Sequence, residues 1–248
     1  MNERDAILAR IREGLRRPSP VPGAPHAIPL PGTAAASAPP LPPGSGRAAA
    51  HPAGNDRVGR FAQVLPAVGG SFDAMAAAFD KASQELRSEF HLLEDASAVE
   101  GQLASFRDAA GWRRVAAHHG EVVSRFASSL GLPVLWTDDG YDKRELETCD
   151  AGLTECDALI AQTGSVVVTS ASAGGRALSV LPPHHVVIAR RAQLVPDLPT
   201  AFRLLEQRYA GRFPSMISFV TGPSRTGDIE RILVLGAHGP KRLTVLCW

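Results

Sequence analysis

The sequence predicts one α/β domain over residues 57–248, built on a mostly parallel sheet flanked by helices. Helix-like and strand-like apolar patterns alternate from residue 73 onward, as in βαβ units. The 248-residue chain is 44% hydrophobic and 21% charged, so it can form a globular core. A proline-rich segment separates this region from the N-terminus, and the domain is therefore expected to begin after it.

Two further segments are predicted before the domain. Residues 1–17 predict a helix capped by Asn2, with one apolar face. That face consists of Ile7, Leu8, Ile11 and Leu15. Residues 18–52 hold 11 of the 20 prolines and cannot bury enough apolar surface to offset the entropy of ordering. We predict a disordered linker over residues 18–56, with the helix either a dispensable extension or a docking element.

Apolar periodicity predicts the order of elements within the domain. Val58, Phe61 and Leu65 indicate a short amphipathic helix, and longer helices are predicted over residues 73–90, 97–110, 120–130 and 197–210. Strands are predicted over residues 112–117, 132–136, 157–162, 166–169, 185–189, 216–220, 229–235 and 243–246. The side chains expected to face the core from the first and last long helices are Met75, Phe79, Leu86, Phe202, Leu205 and Tyr209.

Composition argues against several classes of function. Lys and Arg total 26 against 25 Asp and Glu, so no electrostatic case exists for binding nucleic acid or a membrane surface. Cys149, Cys156 and Cys247 form no CxxC motif, so we expect reduced thiols and no metal or iron–sulfur cofactor in this chain. No apolar run approaches the roughly 18 residues of a membrane span, and we expect a cytoplasmic protein.

The strongest candidate site is TGPSRTGD at residues 221–228. It follows a predicted strand and precedes a possible helical turn at residues 229–232, where free backbone N–H groups would favour an anion. Gly222 permits a tight turn, and Arg225 offers a planar fork for carboxylate or phosphate. The alternative is an ordinary capped turn with a surface arginine. The candidate ligand-binding residues are Thr221, Gly222, Ser224, Arg225 and Thr226.

Two other loops are weaker candidates for ligand contact. The turn between two predicted strands contains Gln162, Thr163, Gly164 and Ser165. A glycine-rich loop at residues 172–176 contains Gly174, Gly175 and Arg176, where paired glycines allow close backbone approach. In both loops a simple structural turn is the favoured alternative.

Histidines are the candidates for acid–base chemistry. His184 and His185 are adjacent in a predicted strand, so their side chains should point to opposite faces and not share one metal. One is expected to be buried and hydrogen-bonded, the other near a site. His238 lies in a loop before the last strand, and His118 and His119 are expected at the surface.

Five segments carry a resemblance to the lactate-utilisation protein C family. They are DALIAQTGS at residues 157–165, LPPHH at 181–185, LVP at 194–196, FVTGPSRTGDIE at 219–230 and VLGAHGPK at 234–241. The resemblance is dense over residues 150–246 and looser over residues 57–150. It implies a fold similar to the sugar-phosphate isomerase and CoA-transferase group, and a role in oxidising L-lactate to pyruvate with iron–sulfur partner proteins.

One departure from the family bears on mechanism. The family often has Glu where this chain has Gln162, and a glutamate is the nucleophile in related CoA transferases. Gln is a poor nucleophile, so an acyl-glutamyl mechanism is disfavoured, although its amide can still hydrogen-bond a carboxylate. Three hypotheses remain open: a non-redox subunit of a lactate-oxidising complex that binds a small anion, a stand-alone enzyme of the isomerase, CoA-transferase or cyclo-ligase type, and a scaffold that recruits partners through residues 1–17.

Overall fold

The computed structural model describes residues 65–227, 233–235 and 239–248. The helix predicted over residues 1–17, the linker over residues 18–56 and most of the predicted helix from Val58 to Leu65 lie outside these ranges. Within them, no helix is long and apolar enough to cross a membrane.

Helices and strands alternate through the first half of the domain, as predicted. The helices are α1 (Phe72–Leu86), α2 (Ala96–Ala110), α3 (Val123–Ser129), α4 (Lys143–Glu147) and α5 (Leu198–Tyr209). The strands are β1 (Glu89–Leu92), β2 (Val115–Ala117), β3 (Val134–Trp136), β4 (Ala151–Thr154), β5 (Ala158–Ile160), β6 (Ser165–Thr169), β7 (His184–Ala189), β8 (Leu194–Val195), β9 (Ile217–Val220), β10 (Arg225–Gly227), β11 (Leu233–Leu235) and β12 (Arg242–Cys247).

A six-stranded sheet forms the centre of the domain, in the order β1-β12-β7-β4-β2-β3, and every neighbouring pair in it is parallel. Helices α2 and α3 cover one face through apolar side chains such as Leu103 and Phe126, both fully buried. Strands β4 and β7 are buried along their whole length, as expected for a parallel sheet covered on both faces. The predicted fold class is therefore confirmed.

The other face of this sheet packs against α1 and a second sheet of four strands, ordered β8-β5-β6-β9. Phe79 of α1 and Val168 of β6 are fully buried in that layer. Helix α5 covers the far side of the second sheet with Leu205. The layers thus run from α2 and α3, through two sheets, to α5; the second, mixed sheet was not predicted.

Helix ends follow from local sequence signals. Asp197 caps α5 by accepting a hydrogen bond from the backbone N–H of Thr200 at 2.8 Å. Helix α1 ends earlier than predicted, because Arg87 adopts a left-handed conformation with φ 61° and Phe90 lies in β1. The prediction that Phe202 faces the core is also wrong: its side chain is 51% exposed.

Candidate functional site

Two of the three predicted ligand-binding loops meet at one end of the second sheet. Strands β6 and β9 are antiparallel and pair Val166 with Val220, which places Thr221 beside Ser165. The hydroxyl oxygens of these two residues lie 2.8 Å apart, and Thr163 Oγ1 lies 2.8 Å from Ser165 Oγ. Residues from the turn at 162–165 and the loop at 221–225 therefore form a single cluster of three linked hydroxyls, hereafter the hydroxyl cluster.

Two glycines allow helix α1 to pack closely against this cluster. Gly164 has φ 63°, and a Cβ there would lie 2.9 Å from the Cβ of Ala82. Gly222 has φ 87°, and a Cβ there would lie 3.1 Å from the carbonyl oxygen of Leu86. Both positions therefore favour glycine for conformation and for space. The side-chain amide of Gln162 donates to the carbonyl of Pro66 at 3.0 Å, so it holds the segment that precedes α1.

The helical turn predicted after the 221–226 loop, at residues 229–232, lies outside the described residues. Arg225 and Thr226 lie in β10, which pairs antiparallel with β11, so the end of this loop is extended backbone. The Ser224 backbone N–H donates to Pro240 O at 2.9 Å. Arg225 is exposed, and its Nη2 lies 3.5 Å from where a Cβ of Gly222 would stand, so the guanidinium borders the turn. Neither His238 nor residues 228–232 belong to the described ranges.

The third loop, residues 172–176, lies at the opposite end of β6, because it follows Thr169 rather than preceding Ser165. Ser172 Oγ accepts from the Thr169 backbone N–H at 3.0 Å, so this hydroxyl is used locally. Gly175 has φ 103°, a Cβ there would meet no atom within 4 Å, and Arg176 is exposed. Gly174 instead packs against the central sheet, beside a histidine.

That histidine, His118, is buried, with 4% exposure, so its expected surface position is wrong. The burial depends on Gly174, where a Cβ would overlap the Cβ of His118. Burial lowers the pKa of His118, while the charges of Glu155 and Asp138 oppose that effect. Its Nε2 has no hydrogen-bond partner among the described residues.

Glu155 lies beside this imidazole. Its Oε1 accepts from the backbone N–H groups of Val122 and Val123 at 2.8 and 3.0 Å. A Cβ on Gly120 would overlap Oε1 of Glu155 and stand 2.6 Å from Cε1 of His118, so both side chains border Gly120. An imidazole with an unpartnered ring nitrogen and a carboxylate thus border the same glycine, and both are groups that can take part in proton transfer.

These residues follow the carboxyl ends of adjacent parallel strands. His118 follows β2, Thr137 follows β3, Glu155 follows β4 and Arg190 follows β7. Strand β2 has β3 on one side and β4 on the other, so successive connections diverge there. Crevices at such a switch point are the usual ligand sites of open α/β sheets. Sequence reasoning missed His118 and Glu155, although a polar residue directly after each short apolar strand was a visible signal.

A cleft of about 310 Å³ opens between this edge and helix α5. Asp157 lies in it with a side chain only 1% exposed, and its Oδ1 accepts from Arg208 Nη1 and Tyr209 Oη, each at 2.7 Å. The Asp157 carboxylate raises the pKa of Arg208. The cleft is lined by Glu121, Val122, Glu155, Asp157, Ile188, Arg190, Ala192, Gln193, Leu204 and Arg208.

His184 and His185 begin β7 and point to opposite faces of the sheet, as predicted. Both are buried: His184 Nε2 lies 2.8 Å from Thr244 Oγ1, and His185 Nε2 lies 2.9 Å from Thr154 Oγ1. Burial lowers the pKa of His184 to about 4 and that of His185 to about 3. Both are therefore neutral near pH 7, and the expectation that one of them lies near a site is not supported by their burial.

The fold and these sites define an α/β protein with a polar cleft at the switch point of a parallel sheet. Residues 120–247 match the LUD domain, and the chain belongs to the LUD domain family. The resemblance to lactate-utilisation protein C is thereby confirmed at the level of the family.

Relatives from three bacteria carry the name Lactate utilization protein C. The chain is 41% identical to that of Halalkalibacterium halodurans over 98 residues, which cover 39% of this chain and 43% of the relative. It is 39% identical over 110 residues to that of Shouchella clausii, covering 43% and 48%, and 35% identical over 117 residues to that of Bacillus subtilis, covering 45% and 49%. The matched segment thus spans about half the length of these relatives.

A solved structure supports the fold. The crystal structure of a DUF162 family protein from Deinococcus radiodurans superposes with a TM-score of 0.58, covering 72% of this chain and 99% of that chain at 23% sequence identity. At that level of identity the similarity extends to the fold.

Proposed function

We propose that this protein is a non-redox component of an L-lactate utilisation system, in which lactate is oxidised to pyruvate together with iron–sulfur partner proteins. The names of its relatives support the lactate role. The three cysteines are buried as free thiols, and burial raises the pKa of Cys149 and of Cys247 to about 11. Such thiols are poor candidates for cluster ligands in the folded chain, so we assign the clusters to the partners.

Within that system the protein binds a small anion, a carboxylate or phosphate, at the hydroxyl cluster. The observation that carries this assignment is the chain of hydroxyls from Thr163 through Ser165 to Thr221 beside the guanidinium of Arg225. The two hydrogen bonds within the cluster use two of its three hydroxyl protons, which leaves one hydroxyl to donate to a ligand. Guanidinium groups match the geometry of carboxylates and phosphates. A hydroxyl donor and the Arg225 guanidinium therefore lie at the same turn.

Growth on lactate tests the proposal. Cells that lack the protein should fail to grow on L-lactate, and the wild-type gene should restore growth. Arg225→Ala should restore it poorly, whereas Arg203→Ala, which removes another exposed arginine on α5, should restore it fully. Normal lactate oxidation without the protein would contradict the lactate role. Full rescue by Arg225→Ala would contradict the anion site alone.

Gentle purification from lactate-grown cells tests the partners. If the tagged protein elutes with iron and with lactate-dependent dye reduction, it belongs to the oxidising complex. If it elutes without iron and without activity, the subunit role is wrong.

A second candidate is a stand-alone enzyme that acts on an anionic metabolite. The neighbouring His118 and Glu155 favour it, because a buried imidazole with an unpartnered nitrogen can exchange a proton with a bound substrate. His118→Gln should then abolish turnover, while His119→Gln, which alters an exposed histidine, should not. Equal activity of the His118→Gln protein would contradict this candidate.

A further inference from the structure

We propose that the cleft between the carboxyl ends of β2, β4 and β7 and helix α5 is a second binding site. Its ligand is a small carboxylate that carries a hydroxyl or amino group on the adjacent carbon. The site is separate from the hydroxyl cluster, and its assignment does not depend on the lactate role. It rests on three features: the cleft, a buried carboxylate oxygen without a partner, and two guanidinium groups.

The cleft has the size and position of a small-molecule site. Its volume of about 310 Å³ lies at the lower end of the range that ligand pockets occupy. Four separate segments form its walls: the loops after β2, β4 and β7, and the last turns of α5. Apolar side chains, including Val122 and Leu204, line the space between its charged groups. Such a mixture suits a ligand of a few heavy atoms.

Asp157 supplies the acceptor that a ligand would satisfy. Its side chain is 1% exposed, and both Arg208 and Tyr209 donate to Oδ1. Oδ2 is buried and has no hydrogen-bond partner within the described part of the chain. A buried carboxylate oxygen without a donor is destabilising, and native proteins satisfy nearly all such atoms. A hydroxyl or ammonium group in the cleft would supply the missing hydrogen bond.

Arg190 and Arg208 supply the positive side of the cleft. The Arg190 guanidinium carbon lies 4.7 Å from the ring centroid of Trp248, and the Arg190 backbone N–H donates to Gln193 Oε1 at 2.6 Å. The stacking on Trp248 positions the guanidinium, and the hydrogen bond to Gln193 fixes the backbone of Arg190. Arg208 uses Nη1 on Asp157, which leaves further N–H donors of its guanidinium. Two arginines therefore line the same cleft as a carboxylate acceptor, which matches a ligand with its own carboxylate and a neighbouring donor.

The charges of the cleft are consistent with such a ligand. Asp157 and Glu155 offset Arg190 and Arg208, while Glu121 is exposed to solvent and screened. A hydroxy acid and an amino acid both present the required pair of groups. The hydroxyl of the one and the ammonium of the other could each donate to Asp157, and titration of the protein with both ligands distinguishes them.

Calorimetric titration with L-lactate, L-alanine and propionate tests the site. Propionate has the carboxylate but no donor, so it should bind about tenfold more weakly or worse, because a hydrogen bond to a charged acceptor is lost. Tight binding of lactate identifies a hydroxyl donor, and tight binding of alanine identifies an amino donor. Equal affinity for all three, or no binding at millimolar concentration, would overturn the proposal.

Variants locate the binding. In Asp157→Asn an NH2 group takes the place of Oδ2 and donates instead of accepting. Lactate or alanine should then bind no more tightly than propionate. Arg190→Gln should weaken every ligand about tenfold but preserve the preference, and it keeps the proposal testable if Asp157→Asn does not fold. Arg203→Gln, on the same helix as Arg208 but outside the cleft, should change nothing. Binding that survives Arg190→Gln but disappears in Arg225→Ala lies elsewhere, and the proposal would be wrong.

Discussion

Acid should destabilise this protein through two buried histidines. Burial lowers the pKa of His184 from 6.5 to about 4, with Arg242 adding to the effect, and it lowers the pKa of His185 from 6.5 to about 3. Each ring shares one hydrogen bond with a threonine hydroxyl, His184 with Thr244 and His185 with Thr154, and is otherwise enclosed by the sheet and its helices. Folding therefore favours the neutral form of both side chains.

The direction of the effect follows from the order of the pKa values. The unfolded chain protonates these histidines near pH 6.5, whereas the folded chain resists protonation until about pH 4 and about pH 3. Their stabilising contribution is complete above pH 6.5 and falls as the pH drops below it. One pKa unit corresponds to about 1.4 kcal/mol, so each histidine should cost about 2 kcal/mol between pH 7 and pH 5, and the pair about 4 kcal/mol.

Urea denaturation at pH 7 and pH 5, followed by tryptophan fluorescence, measures this loss. The free energy of unfolding of His184→Asn should fall by about 2 kcal/mol less than that of the wild type over this interval, because one titrating group is gone. Phe202→Leu, which changes a half-exposed side chain without an ionisable group, should lose as much as the wild type. The reasoning is refuted if His184→Asn and the wild type show the same loss.

Two further substitutions test the packing. Gly174→Ala should destabilise the fold by about 2 kcal/mol or more, because the new methyl group would overlap His118, and thermal unfolding that matches the wild type would contradict the close approach. Leu205→Ala should lower the free energy of unfolding by about 3 kcal/mol, because Leu205 is buried. Phe202→Ala, at a half-exposed position on the same helix, should lower it by less than about 1 kcal/mol. Equal losses of stability in urea denaturation would contradict the packing of α5 described above.

Elements with strong local signals were predictable from the sequence. Helix α5 matches its prediction to within one residue at each end, because Asp197 caps it and apolar residues recur at helical spacing. Strand β6 is β-branched at every position after Ser165. In both cases a short stretch of chain contains the information that fixes the element.

Other elements lack such signals. Strand β4 has the sequence AGLT, which is poor in β-branched residues, yet it pairs with β2 and β7 in the middle of the sheet. Its conformation is set by partners far away in the chain. Helix α1 was predicted too long because its end depends on Arg87, a residue that seldom adopts the left-handed conformation seen here.

The same distinction between local and distant information explains the sites. The turn at residues 162–165 and the loop at residues 221–225 could each be predicted as a candidate site from the sequence. Their proximity in space depends on the pairing of β6 with β9. The loop at residues 172–176 was grouped with them, although β6 separates it from both. His118 and Glu155 were not paired, since only the adjacency of β2 and β4 makes them neighbours.

A more general rule would have found the central cleft. In a parallel sheet the residue that follows each strand lies at the same edge of the sheet. The chemical type of these residues therefore indicates what that edge can bind, even before the strand order is known. Here β2, β4 and β7 are followed directly by His118, Glu155 and Arg190. An imidazole, a carboxylate and a guanidinium at one edge are costly to bury without ligands or partners. Charged residues directly after short apolar strands therefore predict the position of a polar site, even where no sequence motif marks it.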